Sequence, residues 1–298
     1  MPAVRANGIT IEYEPFGPNE GVPVLLIHGF GQQLVAWPPE FLEGFTLAGM
    51  RVVVYDNRDT GLSTKFDGRI PDLTAVGETI RAGKKPNVPY LLDDMAADAA
   101  GLLDALGIES AHVVGASMGG MIAQLVALDH PAKARSLIAV FTTPGDDDLP
   151  PPSREAHLSL MSQPPAQDRG SIIAHMLTSR LAYASPGYPS DDERAARLFG
   201  QAYDRMYYPE GTLRHWSAIA ASPPRGGRLR GLNLPALVLH GADDALLSPA
   251  HGRRIADRIR GARYYELPGW GHDMPAGVIP QLHNLMVPFI LKVEAAQR

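Results

Sequence analysis

Short runs of apolar and β-branched residues alternate along the chain with segments whose apolar residues recur at helical spacing. We predict strands at residues 9–13, 24–27, 52–55, 112–114, 137–140, 237–239 and 264–267. Helical spacing predicts helices at residues 91–106, 121–128, 255–259 and 282–293. Apart from an antiparallel first strand, this alternation is typical of a mostly parallel sheet covered by helices on both faces.

The alternation is interrupted between the strands at 137–140 and 237–239. This long segment contains proline pairs and an aspartate run, with helical patterns at 171–181 and 193–206. Loops of such length without secondary structure are uncommon in compact domains. We therefore expect an α/β core formed by residues 1–142 and 231–298, and a helical cap formed by residues 143–230. The alternative is a set of extra helices at the sheet edge with no role at a substrate site.

Composition narrows the class of protein. The 298 residues are 45% hydrophobic and 20% charged, with a net charge of −5. This balance is typical of a globular protein and argues against nucleic acid as a partner. The chain has no cysteine, which excludes disulfides and thiolate chemistry.

We find neither a signal-peptide pattern nor an apolar run of about 18 residues that could span a membrane, so a cytoplasmic location is expected.

A candidate nucleophile lies between the predicted strand at 112–114 and the predicted helix at 121–128. Residues 115–119 read Gly-Ala-Ser-Met-Gly, a GxSxG pattern centred on Ser117. A serine in such a turn needs strained backbone angles, and small flanking residues allow strand and helix to approach closely. The turn would expose the Ser117 hydroxyl and point the N–H of Met118 at a developing oxyanion.

Two further candidates follow later strands. Asp244 comes after the strand at 237–239, and His272 lies in a glycine-flanked loop after the strand at 264–267. A serine nucleophile needs a general base at neutral pH, and that base needs an orienting acid. We therefore expect His272 to serve as the base of Ser117 and Asp244 to serve as the acid.

Other residues compete for these two roles. Asp243 is a rival acid beside Asp244, but we expect it to brace the turn. Asp146 is a second rival acid, in acidic and proline-rich surroundings typical of an exposed hinge. His283 is the rival base, but it lies on a helical pattern, which favours packing or solvent exposure.

A second glycine-rich turn follows the predicted strand at 24–27. Residues 28–31 read His-Gly-Phe-Gly, and such a turn can aim the N–H of Phe30 at the same point as the N–H of Met118. A tetrahedral intermediate requires two donors of this kind. His28 is predicted to stabilise the turn. No sequence pattern indicates a metal site, and serine chemistry of this kind requires no cofactor.

Together these clusters resemble the α/β-hydrolase superfamily. More narrowly, the chain looks like the group of bacterial carboxylesterases that contains aclacinomycin methylesterase, a resemblance carried by residues 36–38, 55–63, 222–225 and 268–272. The resemblance implies an α/β-hydrolase fold, with a mostly parallel sheet flanked by helices and an inserted helical cap. It also implies the roles proposed above, which are Ser117 as nucleophile, Asp244 as acid, His272 as base, and Phe30 and Met118 as oxyanion donors.

The sequence therefore predicts a serine hydrolase that cleaves a small-molecule carboxylic ester through an acyl-enzyme intermediate. The Phe, Tyr, Leu and Met content of residues 143–230 predicts a partly apolar substrate. Residues 117–121 together with Gln124 also resemble enol-lactone hydrolases and cofactor-free perhydrolases, so lactone hydrolysis and perhydrolysis are alternatives. A non-catalytic ligand receptor with an α/β-hydrolase fold is the alternative from another class.

Overall fold

A computed structural model describes residues 2–297 of the chain, so residues 1 and 298, the outer limits of the predicted core, lie outside the described residues. Among residues 2–297, eight strands form one sheet with the order β1-β2-β4-β3-β5-β6-β7-β8. The strands are β1 (Ala3–Ala6), β2 (Ile9–Phe16), β3 (Val22–Ile27), β4 (Met50–Tyr55), β5 (Ala111–Ala116), β6 (Ala134–Val140), β7 (Ala236–Gly241) and β8 (Arg263–Leu267). The β1–β2 and β2–β4 pairs are antiparallel, and all other pairs are parallel.

Helices cover both faces of this sheet. Within the described residues they are α1 (Pro39–Leu47), α2 (Leu73–Arg81), α3 (Leu92–Ala105), α4 (Met118–Asp129), α5 (Arg154–Met161), α6 (Arg169–Ser179), α7 (Asp192–Arg205), α8 (Pro209–Ala221), α9 (Gly226–Leu229), α10 (Pro249–Arg258) and α11 (Ile279–Gln297), with short 3-10 helices at Leu34–Ala36, Pro131–Lys133 and Arg180–Tyr183. No helix in residues 2–297 is both long and apolar enough to cross a membrane.

The central strands are apolar on both faces because each face has its own core. In β3, Leu25 and Ile27 pack into one cluster with α3 and α4, whereas Val24 and Leu26 pack into a second cluster with α1 and α11. This division follows from the two-residue period of a strand, which sends successive side chains to opposite faces. The continuous apolar runs therefore predicted the buried parallel strands correctly.

Parallel pairing brings the turns after several strands to one edge of the sheet. Ile27 at the end of β3 pairs with Gly115 in β5, Ala116 pairs with Val140 in β6, and Gly241 in β7 pairs with Leu267 in β8. Since these strands run in the same direction, their carboxyl ends share one edge. The turns that carry the predicted site residues therefore begin side by side.

The predicted mostly parallel sheet flanked by helices is confirmed, but several elements were not predicted from the sequence. The short edge strand β1 contains the charged residue Arg5, which weakens its apolar signal. Helix α2 is short and amphipathic and buries only Val76, and it was not predicted from its sequence. Helix α1 begins with Pro39 and was not predicted. Helix α10 begins with Pro249, six residues before the helix predicted at 255–259. Proline suits the first turn of a helix, so neither residue argued against helix there.

Helices α5 to α9 lie between β6 and β7, in the segment where the strand alternation breaks. Buried polar contacts join this insert to the loop that follows β4. Arg214 of α8 pairs with Asp59 at 2.9 Å, and both side chains are fully buried. Asp59 also accepts a hydrogen bond from the Tyr90 hydroxyl at 2.6 Å. Arg205 of α7 pairs with Asp56 at 2.7 Å. These contacts fix α7 and α8 on the core.

We expect the substitution Arg214→Met to destabilise the protein by about 3–5 kcal/mol, because it leaves the Asp59 carboxylate buried without its cation. Urea unfolding measures the change. Arg169→Met is the matched control, since Arg169 of α6 pairs with Asp204 at 2.7 Å where both side chains are exposed. Exposed ion pairs contribute little, so no measurable change is expected in the control. Equal unfolding midpoints for the two variants would contradict the prediction.

Candidate active site

Ser117 occupies a sharp turn between β5 and α4. Its backbone has φ 56° and ψ −121°, a left-handed φ that non-glycine residues rarely adopt. Two contacts with neighbouring strand β6 and the residues after it hold the turn: the Ser117 N–H donates to the carbonyl of Val140 at 3.0 Å, and the Thr142 hydroxyl donates to the Ser117 carbonyl at 2.6 Å. The Ser117 side chain is therefore held at the carboxyl edge of the sheet.

The two glycines of the GxSxG pattern make this turn sterically possible. A Cβ at Gly115 would lie 2.1 Å from the carbonyl oxygen of Gly119, and a Cβ at Gly119 would lie 2.0 Å from the carbonyl oxygen of Ile27 in β3. Both distances are far below van der Waals contact, and in each case the neighbour is backbone that has little freedom to move. The close approach of α4 to β3 and β5 therefore requires glycine at both positions.

His272 and Asp244 form a continuous hydrogen-bonded chain with Ser117. The His272 Nε2 lies 2.9 Å from the Ser117 Oγ, and the His272 Nδ1 lies 2.7 Å from the Asp244 Oδ2. Because a carboxylate only accepts, Nδ1–H donates to Asp244, which leaves Nε2 free to accept the hydroxyl proton of Ser117. The structure thus brings together the three residues expected to serve as nucleophile, base and acid.

Asp244 is held in its ionised form despite its burial. Its Oδ1 accepts hydrogen bonds from the N–H groups of Leu246 at 2.9 Å and Leu247 at 2.8 Å. Burial acts to raise the pKa of the Asp244 carboxyl, but the charge of His272 and the hydrogen bonds from His240 and His272 outweigh it and hold the pKa below its usual range. An ionised Asp244 can fix the orientation of the imidazole and stabilise its positive form.

Two backbone N–H groups lie beside Ser117. Met118 is the first residue of α4, a position whose N–H has no partner within the helix. Gly29 adjoins the serine so closely that a Cβ there would lie 3.2 Å from the Ser117 Cβ, which brings the turn containing Phe30 next to Ser117. Within residues 2–297, neither Phe30 nor Met118 donates its N–H to a protein acceptor.

His28 lies at the base of the same turn. Its Nδ1 accepts a hydrogen bond from the Gly29 N–H at 2.8 Å. Burial lowers the pKa of His28 to about 4, with a hydrogen bond to the backbone of Ala36 acting in the opposite direction. The ring is therefore neutral at pH 7 and contributes a hydrogen bond to the turn.

A cavity of about 480 Å³ lies between the carboxyl edge of the sheet and the insert. Ser117 and His272 open into it. Its wall is mostly apolar or aromatic and includes Phe30, Trp37, Met121, Phe141, Leu160, Tyr183, Tyr188, Leu198, Phe199, Trp216, Ile219, Leu246 and Met274. Four charged side chains also line it, namely Arg180, Asp191, Arg194 and Asp273.

The rival residues lie elsewhere. Asp243 accepts a hydrogen bond from the Gly269 N–H at 2.8 Å and so braces the loop before His272. Asp146 pairs with Arg254 at 2.9 Å, and the His283 Nε2 contacts the carbonyl of Phe41 at 2.9 Å. None of these three side chains lines the cavity formed by the described residues. Within those residues there is also no group of three or more His, Asp or Glu side chains that could hold a metal ion.

The sequence did not indicate which residues of the insert line the cavity. A signal existed for one pair, because Trp216 and Ile219 of α8 are three residues apart and therefore lie on one face of the helix. Tyr183 and Ser185 lie at and beyond the end of a 3-10 helix, where no periodicity indicates which way a side chain points.

Comparisons with known proteins place the chain among hydrolases. A family model described as alpha/beta hydrolase fold matches residues 22–275. The rhodomycin D methylesterases DauP of Streptomyces sp. (strain C5) and DnrP of Streptomyces peucetius are each 31% identical over 296 residues, covering 92% of this chain and 93% of the relative. The solved enol-lactonase from Burkholderia xenovorans LB400 matches with a TM-score of 0.70 at 22% identity, covering 97% of this chain and 100% of that one. At that identity, the structural match describes the fold alone.

We expect Gly119→Ala to destabilise the protein by about 3 kcal/mol or more, because its Cβ would overlap the backbone of β3. Gly227→Ala is the matched control, since a Cβ at this helical glycine of α9 would meet no atom within 4 Å. Alanine there should be neutral or slightly stabilising. Thermal or urea unfolding compares the two variants, and a Gly119→Ala protein as stable as the control would refute the packing argument.

Proposed function

Because the chain belongs to the alpha/beta hydrolase fold family, as its sequence resemblance predicted, we propose that it hydrolyses carboxylic esters with Ser117 as nucleophile, His272 as base and Asp244 as acid. One observation carries the proposal: Ser117 Oγ, His272 and Asp244 form a hydrogen-bonded chain with distances of 2.9 and 2.7 Å. The likeness to two rhodomycin D methylesterases supports an ester as the substrate class.

The acylation step follows from the geometry of these three residues. Ser117 Oγ attacks the ester carbonyl carbon while His272 Nε2 accepts the hydroxyl proton. Asp244 stabilises the imidazolium that forms, since its carboxylate already accepts the Nδ1–H. The bond between the carbonyl carbon and the alcohol oxygen then breaks, and His272 returns the proton to that oxygen. The products of this step are the free alcohol and an acyl group on Ser117.

Water completes the reaction by the same route. His272 removes a proton from a water molecule, whose oxygen attacks the acyl carbon. The bond between the acyl carbon and Ser117 Oγ then breaks, His272 returns the proton to Oγ, and the acid is released. In both tetrahedral intermediates we assign the negative oxygen to the N–H groups of Phe30 and Met118. A donor of this kind contributes about 3–4 kcal/mol of transition-state stabilisation in serine hydrolases. Every step uses groups of this chain, the ester and water.

Residues 143–230 form the cap in this proposal, over a core of residues 1–142 and 231–298. Support comes from the side chains that α5, α7 and α8 contribute to the cavity wall above Ser117, among them Leu160, Phe199 and Trp216. A cap of this kind excludes water and binds the non-reacting part of a substrate. The apolar lining supports a small-molecule ester with a partly apolar acyl or alcohol group.

The substitution Ser117→Ala is expected to lower kcat/KM for a short-chain p-nitrophenyl ester by at least about 10⁴-fold, because the nucleophile is removed. Initial-rate assays measure the loss, and unfolding curves verify that the variant is folded. Labelling by a fluorophosphonate probe should occur in the parent and disappear in the variant. A folded variant that hydrolyses the ester as fast as the parent would rule out Ser117 as the nucleophile, and a parent that resists the probe would favour a non-catalytic receptor.

Two adjacent carboxylates allow a matched test of the acid. Asp244→Asn should lower kcat by about 10⁴-fold, because an amide stabilises the wrong imidazole tautomer and cannot stabilise the imidazolium. Asp243→Asn is the control, since its side chain braces the Gly269 turn and does not contact His272. We expect its kcat to stay within a few-fold of the parent. The reverse ranking in the same assay would assign the acid to Asp243.

A further inference from the structure

The loop that carries His272 lies against residues 183–188 of the insert, which follow the 3-10 helix at Arg180–Tyr183. Five hydrogen bonds join them, three of them through Ser185. The His272 N–H donates to the Tyr183 carbonyl at 2.7 Å, and the Gly187 N–H donates to the Gly269 carbonyl at 2.8 Å. Ser185 provides the other three, because its hydroxyl accepts the Gly271 N–H at 2.9 Å, its N–H donates to Asp273 at 3.1 Å, and its hydroxyl also donates to the Asp273 carboxylate.

The backbones of the two segments touch directly. A Cβ at Gly271 would lie 2.5 Å from the carbonyl oxygen of Ala184, and a Cβ at Gly269 would lie 2.8 Å from the Cα of Gly187. Gly269 also has a left-handed φ of 74°, which favours glycine. The His272 loop is therefore packed against residues 183–188 of the insert with no side chain between the backbones.

Ser185 is the centre of this contact. Its hydroxyl accepts from Gly271 and donates to the Asp273 carboxylate, so one buried oxygen joins the residues on both sides of His272. His272 itself lies in the long connection between β8 and α11, where no ladder of strand or helix hydrogen bonds fixes the backbone. Besides its contacts with Ser117 and Asp244, the imidazole packs on the ring of Phe141, with 4.7 Å between the ring centroids. The ring of Tyr183 meets it edge-on at a centroid distance of 6.4 Å.

We propose that Ser185 and Asp273 are positioning residues, which hold the His272 backbone so that its imidazole stays between Ser117 and Asp244. The inference rests on the proposed function. It makes the alignment of the base depend on where the insert lies, because Ser185 belongs to the insert and Asp273 to the core. Displacements of about 1 Å at a reacting group can cost about 10²-fold in rate, so even a small shift of this loop matters.

The first test is Ser185→Ala, which removes both hydroxyl contacts. We expect kcat for a p-nitrophenyl ester to fall by about tenfold to 10²-fold while KM changes less than about twofold, because the effect is on alignment of the base. Ser222→Ala is the matched control. The Ser222 hydroxyl also joins the insert to the core, accepting from the Leu92 N–H at 2.9 Å, but it makes no contact with the His272 loop. Its kcat should equal that of the parent.

Two substitutions of Asp273 distinguish a positioning role from an effect of its negative charge. Asp273→Asn keeps an oxygen that accepts from Ser185 and removes the negative charge, whereas Asp273→Ala removes both. Positioning predicts that the asparagine variant retains most of the parent kcat and that the alanine variant loses about as much as Ser185→Ala. Equal losses in both Asp273 variants would show that the charge matters instead, and would overturn the proposal. This comparison also decides the matter if Ser185→Ala fails to fold.

A second measurement needs no substrate. The proton that His272 Nδ1 donates to Asp244 should give a low-field NMR resonance in the parent and in Ser222→Ala, and the resonance should broaden or vanish in Ser185→Ala. An unchanged resonance together with an unchanged kcat in Ser185→Ala would refute the positioning role. If the parent hydrolyses no ester, the proposed function fails, while the resonance still tests the link between the insert and His272.

Discussion

The contact between the backbone of Gly119 and the carbonyl of Ile27 is the constraint on which the rest of the site depends. It brings the start of α4 against the end of β3. Ser117, the residue between β5 and α4, has a left-handed φ in this arrangement. Ser117 consequently projects from the sheet edge at the place where the turn containing Phe30 passes. The pairing of Ile27 with Gly115 fixes the same relation along the sheet. The placement of the hydroxyl thus depends on backbone packing as well as on the hydrogen bonds that hold the turn.

The buried carboxylates of Asp244 and Asp59 each have several partners that compensate their desolvation. Burial is the largest single influence on the pKa of the Asp244 carboxyl, and it acts to raise that pKa. The charge of His272 and the hydrogen bonds from His240 and His272 together outweigh burial and lower the pKa. The Asp59–Arg214 pair follows the same rule, since Tyr90 adds a hydrogen bond to the carboxylate. Buried charges of this kind contribute more to a unique arrangement than to net stability, because their desolvation cost offsets much of their attraction. In this protein, such pairs fix the positions of α7 and α8 on the core, through Arg205 with Asp56 and Arg214 with Asp59.

The sequence predicted those parts of the molecule that repeat a local pattern. Apolar runs identified the central strands, and the positions of Ser117, Asp244 and His272 just beyond strand ends were enough to group them. Contacts between distant segments had no such signal. Ser185 and Asp273 are 88 positions apart, and Asp59 and Arg214 are 155 apart, so neither pair leaves a trace in periodicity or spacing. The residues that line the cavity also left no local pattern in the sequence, because their positions depend on how the insert folds over the sheet.

The left-handed backbone of Ser117 has an evolutionary consequence. Holding a non-glycine residue in such a conformation costs about 1–3 kcal/mol, whereas glycine adopts it with little penalty. Under the proposed function, selection for chemistry and selection for stability therefore oppose each other at Ser117. In a descendant released from selection for chemistry, we expect glycine to be favoured at position 117, and the inactive protein to be more stable than its ancestor. Under the proposed function, a serine at a place that suits glycine better lowers stability and is retained for its hydroxyl.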